Sequence, residues 1–262
     1  MHAARPLAKT LGETSRIQGI TFAAGTDVFF GLDDRLTACA IPEDQVILGV
    51  PCAKGLVHFH PDGRLARATL AAAHQTRGAR FEPGTRLSWL EDGTLAAHLA
   101  GPQRVGEVEL PAAVSALLCP EGALIRWSRQ VESEQSLGAV PCAAHSKVTL
   151  FADGRLMRAT AARDAVIDGV TIMGGTDVEL HAGGGPAVVT LGAPLSRGGF
   201  TFEAGTTVVF RSDGTLSVAH LADDLSHDGR RFEADTYLQF DADERLDSHV
   251  SIGWSIAERA RG

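Results

Sequence analysis

The 262-residue chain carries 32 acidic against 24 basic side chains, a formal charge of −8, with no run of basic residues. That argues against a nucleic-acid partner, whose phosphates need clustered Lys and Arg to release counterions, and no segment approaches the ~18 apolar residues of a membrane-spanning helix. With 44% apolar residues, 29 glycines and a single tyrosine, the composition suits a turn-rich scaffold that can bury ample core but lacks an aromatic recognition face.

Met1-His-Ala-Ala-Arg-Pro6 holds none of the about 7–15 apolar residues of a signal peptide. This leaves a cytoplasmic protein, or a mature chain of the envelope or secreted space that has gained a methionine. Leu7-Ala-Lys-Thr-Leu11 matches Leu65-Ala-Arg-Ala-Thr-Leu70 with one residue deleted, so residues 1–15 read as the end of a partial repeat. From residue 16 to 250 the sequence repeats about eight times at roughly 30 residues. Three apolar columns keep step. The first is Phe22, Cys52, Phe81, Leu110, Cys142, Ile172, Phe202, Phe232. The second is Phe30, Phe59, Trp89, Leu118, Leu150, Leu180, Phe210, Phe240. The third is Leu36, Leu65, Leu95, Leu124, Leu156, Pro186, Leu216, Leu246. The longest step falls between the fourth and fifth units. Residues 251–262, with Trp254 and Ile256, read as a tail or cap, and the whole of 1–262 as one repeat-array domain.

Within a unit the period is two. Val57 and Phe59 alternate with His58 and His60, which predicts a strand with one buried face. Asp-Gly pairs such as Asp62-Gly63, Asp92-Gly93, Asp153-Gly154 and Asp213-Gly214 separate apolar runs and predict hairpins. The expected fold is an all-β, elongated repeat protein with three short strands per unit. An antiparallel meander or a β-solenoid satisfies the pattern, and the hairpin turns favour the meander.

Candidate chemistry is sparse. His58 and His60 stand two apart with Asp62 in the following turn, a spacing at which imidazoles can share a metal, yet other units do not repeat the pair. With His98 on the next unit they are the only candidates for a binding site, and no metal or cofactor is expected. The acidic turn column reads as turn chemistry, since aspartate bonds its own backbone there. Cys52 and Cys142 share the context Val-Pro-Cys in the first column and read as small buried hydrophobes. A Cys39–Cys52 disulfide is the sharper alternative and would require an oxidising compartment.

The hairpins Val57-His-Phe-His-Pro-Asp-Gly-Arg-Leu65 and Val148-Thr-Leu-Phe-Ala-Asp-Gly-Arg-Leu156 resemble those of MORN-type repeat variants, antitoxin-like repeat proteins included. The longer unit, Gly-Val-Pro-Cys followed by His-Pro-Asp-Gly-Arg-Leu, is similar to bacterial β-hairpin repeat proteins that are often exported. The resemblance implies a repeat fold and an envelope location, and carries no catalytic residue. The reading is therefore a monomeric, non-catalytic scaffold or binding protein that offers an extended surface to a partner protein, glycan or lipid. Its alternatives are a cytosolic immunity or antitoxin-type protein, and a hydrolase or lyase acting on a polysaccharide through His58, His60, Asp62 and His98.

Overall fold

The structure, a computed structural model, describes residues 7–251. All regular structure among them is β, in 33 strands, and neighbouring strands pair antiparallel. Of the expected tail or cap at 251–262, Ser251 ends the last strand and 252–262 lie outside the described residues, as do the first six residues of the partial repeat. Strand β1 (Leu7–Thr10) behaves as the last strand of a preceding unit and pairs Leu7↔Phe30 through Thr10↔Asp27.

One unit shows how the rest are built. Strands β2 (Ser15–Ile17) and β3 (Ile20–Phe22) form a miniature hairpin around Gln18-Gly19. Both turn residues have positive φ, +49 and +85, the signature of a type I′ turn, whose twist matches that of the flanking strands. A turn through Ala24-Gly25 then leads to β4 (Asp27–Phe30), and β5 (Leu36–Ile41) returns after a loop whose three residues 32–34 are enclosed by the bond from the Gly31 N–H to the Arg35 carbonyl. In that loop the last residue is left-handed: Gly63, Gly93, Gly154 and Gly214 all sit at φ near +85. The aspartate before each accepts a hydrogen bond from the backbone N–H two residues on, at 3.0 Å for Asp62 and 2.9 Å for Asp213. Each unit thus has four strands rather than three. The strand missed is the first arm of the miniature hairpin, too short at three residues to show a period of its own.

The chain divides into two compact units, Met1–Arg129 and Gln130–Gly262. The division falls at the junction with the longest repeat step. In the first unit, nine sheet strands from β1 to Leu124–Gln130 run as a meander, with each strand paired to its chain neighbours in the sheet. The second holds eight more, from Lys147–Phe151 to Leu246–Ser251, in the same order. Hairpin sheets of two strands accompany each repeat. This pairing decides for the meander over the solenoid, because successive strands pair antiparallel and like strands do not stack in register.

The core lies between sheet and miniature hairpins. Phe22, Phe81 and Phe202 of the first column are wholly buried, as are Cys52, Cys142 and Ile172. Phe22 meets Phe59 of the next repeat edge-on at 6.3 Å, and Phe202 meets Phe240 likewise at 6.0 Å. Each hairpin therefore packs onto the sheet of the following repeat, and every buried phenylalanine contributes about 1.5–3 kcal/mol to that join. This overlap holds successive repeats together within a unit.

Candidate functional site

Two surfaces remain after the core is accounted for: the sheet face away from the hairpins, and niches between successive hairpins. The first is built by strict alternation. Along Lys147–Phe151, Val148 and Leu150 turn into the core while Thr149 turns out. Register then lines up the outward residues across the second unit. Thr149 pairs with Arg158, Arg158 with Glu179, Glu179 with Val188, Val188 with Val209, Val209 with Val218, and Val218 with Gln239. A parallel row carries Thr190, Thr207, His220 and Tyr237, with the last two rings stacked at 4.2 Å. Arg158 closes one side through Asp177 at 2.7 Å and Glu179 at 3.2 Å. The first unit has the corresponding row Phe29, Ala38, His58, Arg67, Ser88, Ala96, Leu117.

The candidate histidines do not converge. His58 lies on the outward face between Ala38 and Arg67, half-buried, and burial followed by the Arg67 charge lowers its pKa. His60 lies past a bulge at His58/Phe59, outside the strand. Its Nε2 is 2.6 Å from the Trp89 carbonyl, so that nitrogen carries the proton and donates. His181 makes the same bond to the Phe210 carbonyl at 2.9 Å, and Arg211 reaches the Phe240 carbonyl. All three bonds span 29 residues. His60 is thus one of a series of clamps between repeats, a recurrence invisible from His58–His60 spacing but present in the sequence as a polar residue after the second column. Asp62 is spent on the Arg64 backbone N–H and on the Arg64 guanidinium at 2.6 Å, and these bonds hold its carboxyl below the ordinary range. His98 is exposed, in a different row, with Nδ1 3.2 Å from Ser115 Oγ. Three strand steps of ~4.8 Å separate the His58 strand from the His98 strand, so no shared groove joins them.

The alternative of a Cys39–Cys52 bridge is not formed in this structure, where all four cysteines are free thiols. Cys39 and Cys52 are wholly buried. Burial first, then the neighbouring Cys52, pushes the Cys39 thiol up to about 12, and burial pushes Cys52 up to about 11. Both serve as small core side chains, with no thiolate available for chemistry.

The niches recur where the turn of a sheet hairpin overhangs two miniature hairpins. In the first unit one of about 450 Å³ is lined by Leu48, Val50, His60, Arg64, Leu65, His74, Thr76, Arg77, Trp89 and Leu90. In the second unit the equivalent niche of about 240 Å³ has Asp168 for Leu48, Gly185 for Arg64, Phe210 for Trp89 and Arg211 for Leu90. Sequence reasoning passed over the larger one because its residues come from four separate strands and turns. Among the described residues no group of three or more His, Cys, Asp or Glu is placed to hold a metal. Compared with known protein families and with curated proteins, the chain gives no match.

Proposed function

We propose that this is a non-catalytic β-repeat scaffold that holds a partner protein on the outward face of its meander. One observation carries the reading. An antiparallel sheet with one solvated face should alternate apolar-in, polar-out, yet the outward row of the second unit centres on Val188, Val209 and Val218. These valines are half-buried by their strand neighbours and lie beside Thr190 and Thr207, which makes a flat, weakly polar strip between charged and amide flanks. Such a strip suits a flat protein surface better than a glycan, which favours exposed aromatic platforms. The reading keeps the chain beside β-hairpin repeat proteins of the MORN-type, whose hairpins it resembles.

The test is a photo-crosslinking residue placed at Val209 in the protein expressed in its own host, with Ser212 in the exposed loop as the control. A discrete protein adduct at position 209 and none at 212 is expected. No adduct at 209, or equal adducts at both positions, contradicts the proposal.

A further inference from the structure

The niche between the second and third miniature hairpins has the features of a small-molecule site, and this holds independently of the outward face. Its floor is apolar, with Trp89 half-buried above the buried Leu65. At about 450 Å³ it is within the range that encloses a drug-sized ring system. Its rim goes against the local rules. Leu48 occupies the first position of a type I′ turn at φ +50 and is 53% exposed, while the same turn position elsewhere holds Gln18, Arg77, Asp168, Asp228 or glycine. A bulky apolar residue in the left-handed region is an outlier, and such outliers concentrate where function over-determines the backbone. Leu90, across the niche, is 43% exposed. Apolar surface at two facing rim positions is removed from water only if a ligand fills the gap between them.

The polar groups say what that ligand carries. Arg64 is oriented by its bond to Asp62, and Arg77 is pinned by the Gly93 carbonyl with the Cys119 carbonyl at 3.5 Å. Each guanidinium is anchored at one end, which leaves further N–H groups of the fork for a second acceptor. His74 is lowered from its ordinary pKa by burial and adds a neutral imidazole. A planar apolar floor with two pre-oriented guanidiniums at its edge fits an aromatic body with one anionic head. We infer that this niche binds a small fused-ring aromatic carboxylate or sulfonate. The ring would lie against Trp89 between Leu48 and Leu90, with its anion on Arg64 and Arg77. The equivalent niche of the second unit has Asp168 and Gly185 in place of Leu48 and Arg64, so it lacks the apolar rim, and its two arginines, Arg197 and Arg211, stand at other positions of the repeat.

The experiment titrates the full chain with 8-anilinonaphthalene-1-sulfonate and, separately, with its uncharged analogue N-phenyl-1-naphthylamine, reading tryptophan quenching and dye emission. One saturable site per chain is expected, with the sulfonate at least tenfold tighter than the neutral dye. Trp89→Phe should remove most of the quenching while dye emission still saturates. Arg64→Thr, which installs the residue of the third and seventh repeats (Thr94, Thr215), should abolish the preference for the sulfonate and leave the neutral dye unchanged. Leu48→Asp, which copies Asp168, should weaken both dyes at least fivefold. These two variants use residues that sibling repeats already accommodate, and a far-ultraviolet spectrum equal to the parent's confirms that they fold. Non-saturating binding, quenching that survives Trp89→Phe, or equal affinity for the two dyes in the parent would overturn the inference.

Discussion

The two faces of the meander, in each unit, obey different rules although they alternate along the same strands. On the covered face nearly every position is specified. Val208 and Phe210 are buried, and Phe202 of the miniature hairpin closes over Phe240 of the next repeat. On the outward face Val209, one residue away, is half-buried by its cross-strand neighbours and meets no second layer among the described residues. Stability is therefore concentrated on one side of the sheet, and the other carries little of it. A repeat protein can afford this division because each hairpin joins two repeats and secures the sheet from a single face.

The largest effect should come from the covered face. Phe202→Ala removes a wholly buried ring that touches Phe200 and Phe240, and a loss of about 3–5 kcal/mol is expected in chemical denaturation. A comparable truncation at Val209 should cost less than about 1 kcal/mol, and equal losses would break the comparison.

The turns come next and separate two kinds of glycine. Gly63 has φ +85 with open space around it, so Gly63→Ala should cost only the left-handed backbone penalty of about 1–2 kcal/mol. Gly122 has φ +94, and a Cβ there would run into the Arg77 carbonyl of the preceding repeat. Gly122→Ala should therefore destabilise more than Gly63→Ala, and unfolding midpoints of the two variants decide the point.

The smallest effects concern pH. His58 and His74 have folded pKa values lowered from 6.5, mainly by burial. The unfolded chain binds more protons just below that pH, so stability should begin to fall as pH drops through 6.5. The turn carboxylates Asp92, Asp153 and Asp213 are held below 3.8 by hydrogen bonds from Thr94, Arg155 and Thr215. Their contribution is present above that value and is lost only as pH falls through their lower, folded pKa values. Urea midpoints followed from pH 7 to 2.5 should show two descents, with His58→Gln shrinking the first and leaving the second.

How far these features could be read from the sequence follows from their range. The three columns located the core, since Phe22, Phe81 and Phe202 are buried because their spacing places them under consecutive hairpins. The Asp-Gly turns were legible because aspartate capping and a left-handed glycine are local events. The first arm of each miniature hairpin escaped, three residues being too few for a period. A bulge also defeated strict alternation: in Leu65-Ala-Arg-Ala-Thr69 the buried pair is Leu65 and Ala68, three apart, because Ala66 is an extra residue opposite the His58/Phe59 step. The niche was hidden for a different reason. Leu48, Arg64, Arg77 and Trp89 span 42 positions and meet only through tertiary packing. His58 and His60 looked like a pair by spacing, but the strand ends at Phe59, so His58 stays on the outward face and His60 reaches to a clamp.

The most direct test of the division between the faces is to place a charge on adjacent residues of one strand, Val208→Asp and Val209→Asp, and compare thermal unfolding. Val208 is wholly buried, and a carboxylate there has no partner, so that variant should fail to fold or melt far below the parent. Val209→Asp should melt within about 3 °C of the parent, the shift expected of a change near 0.5 kcal/mol. Equal collapse of both variants would mean that the outward face is packed as tightly as the covered one, and would contradict the account.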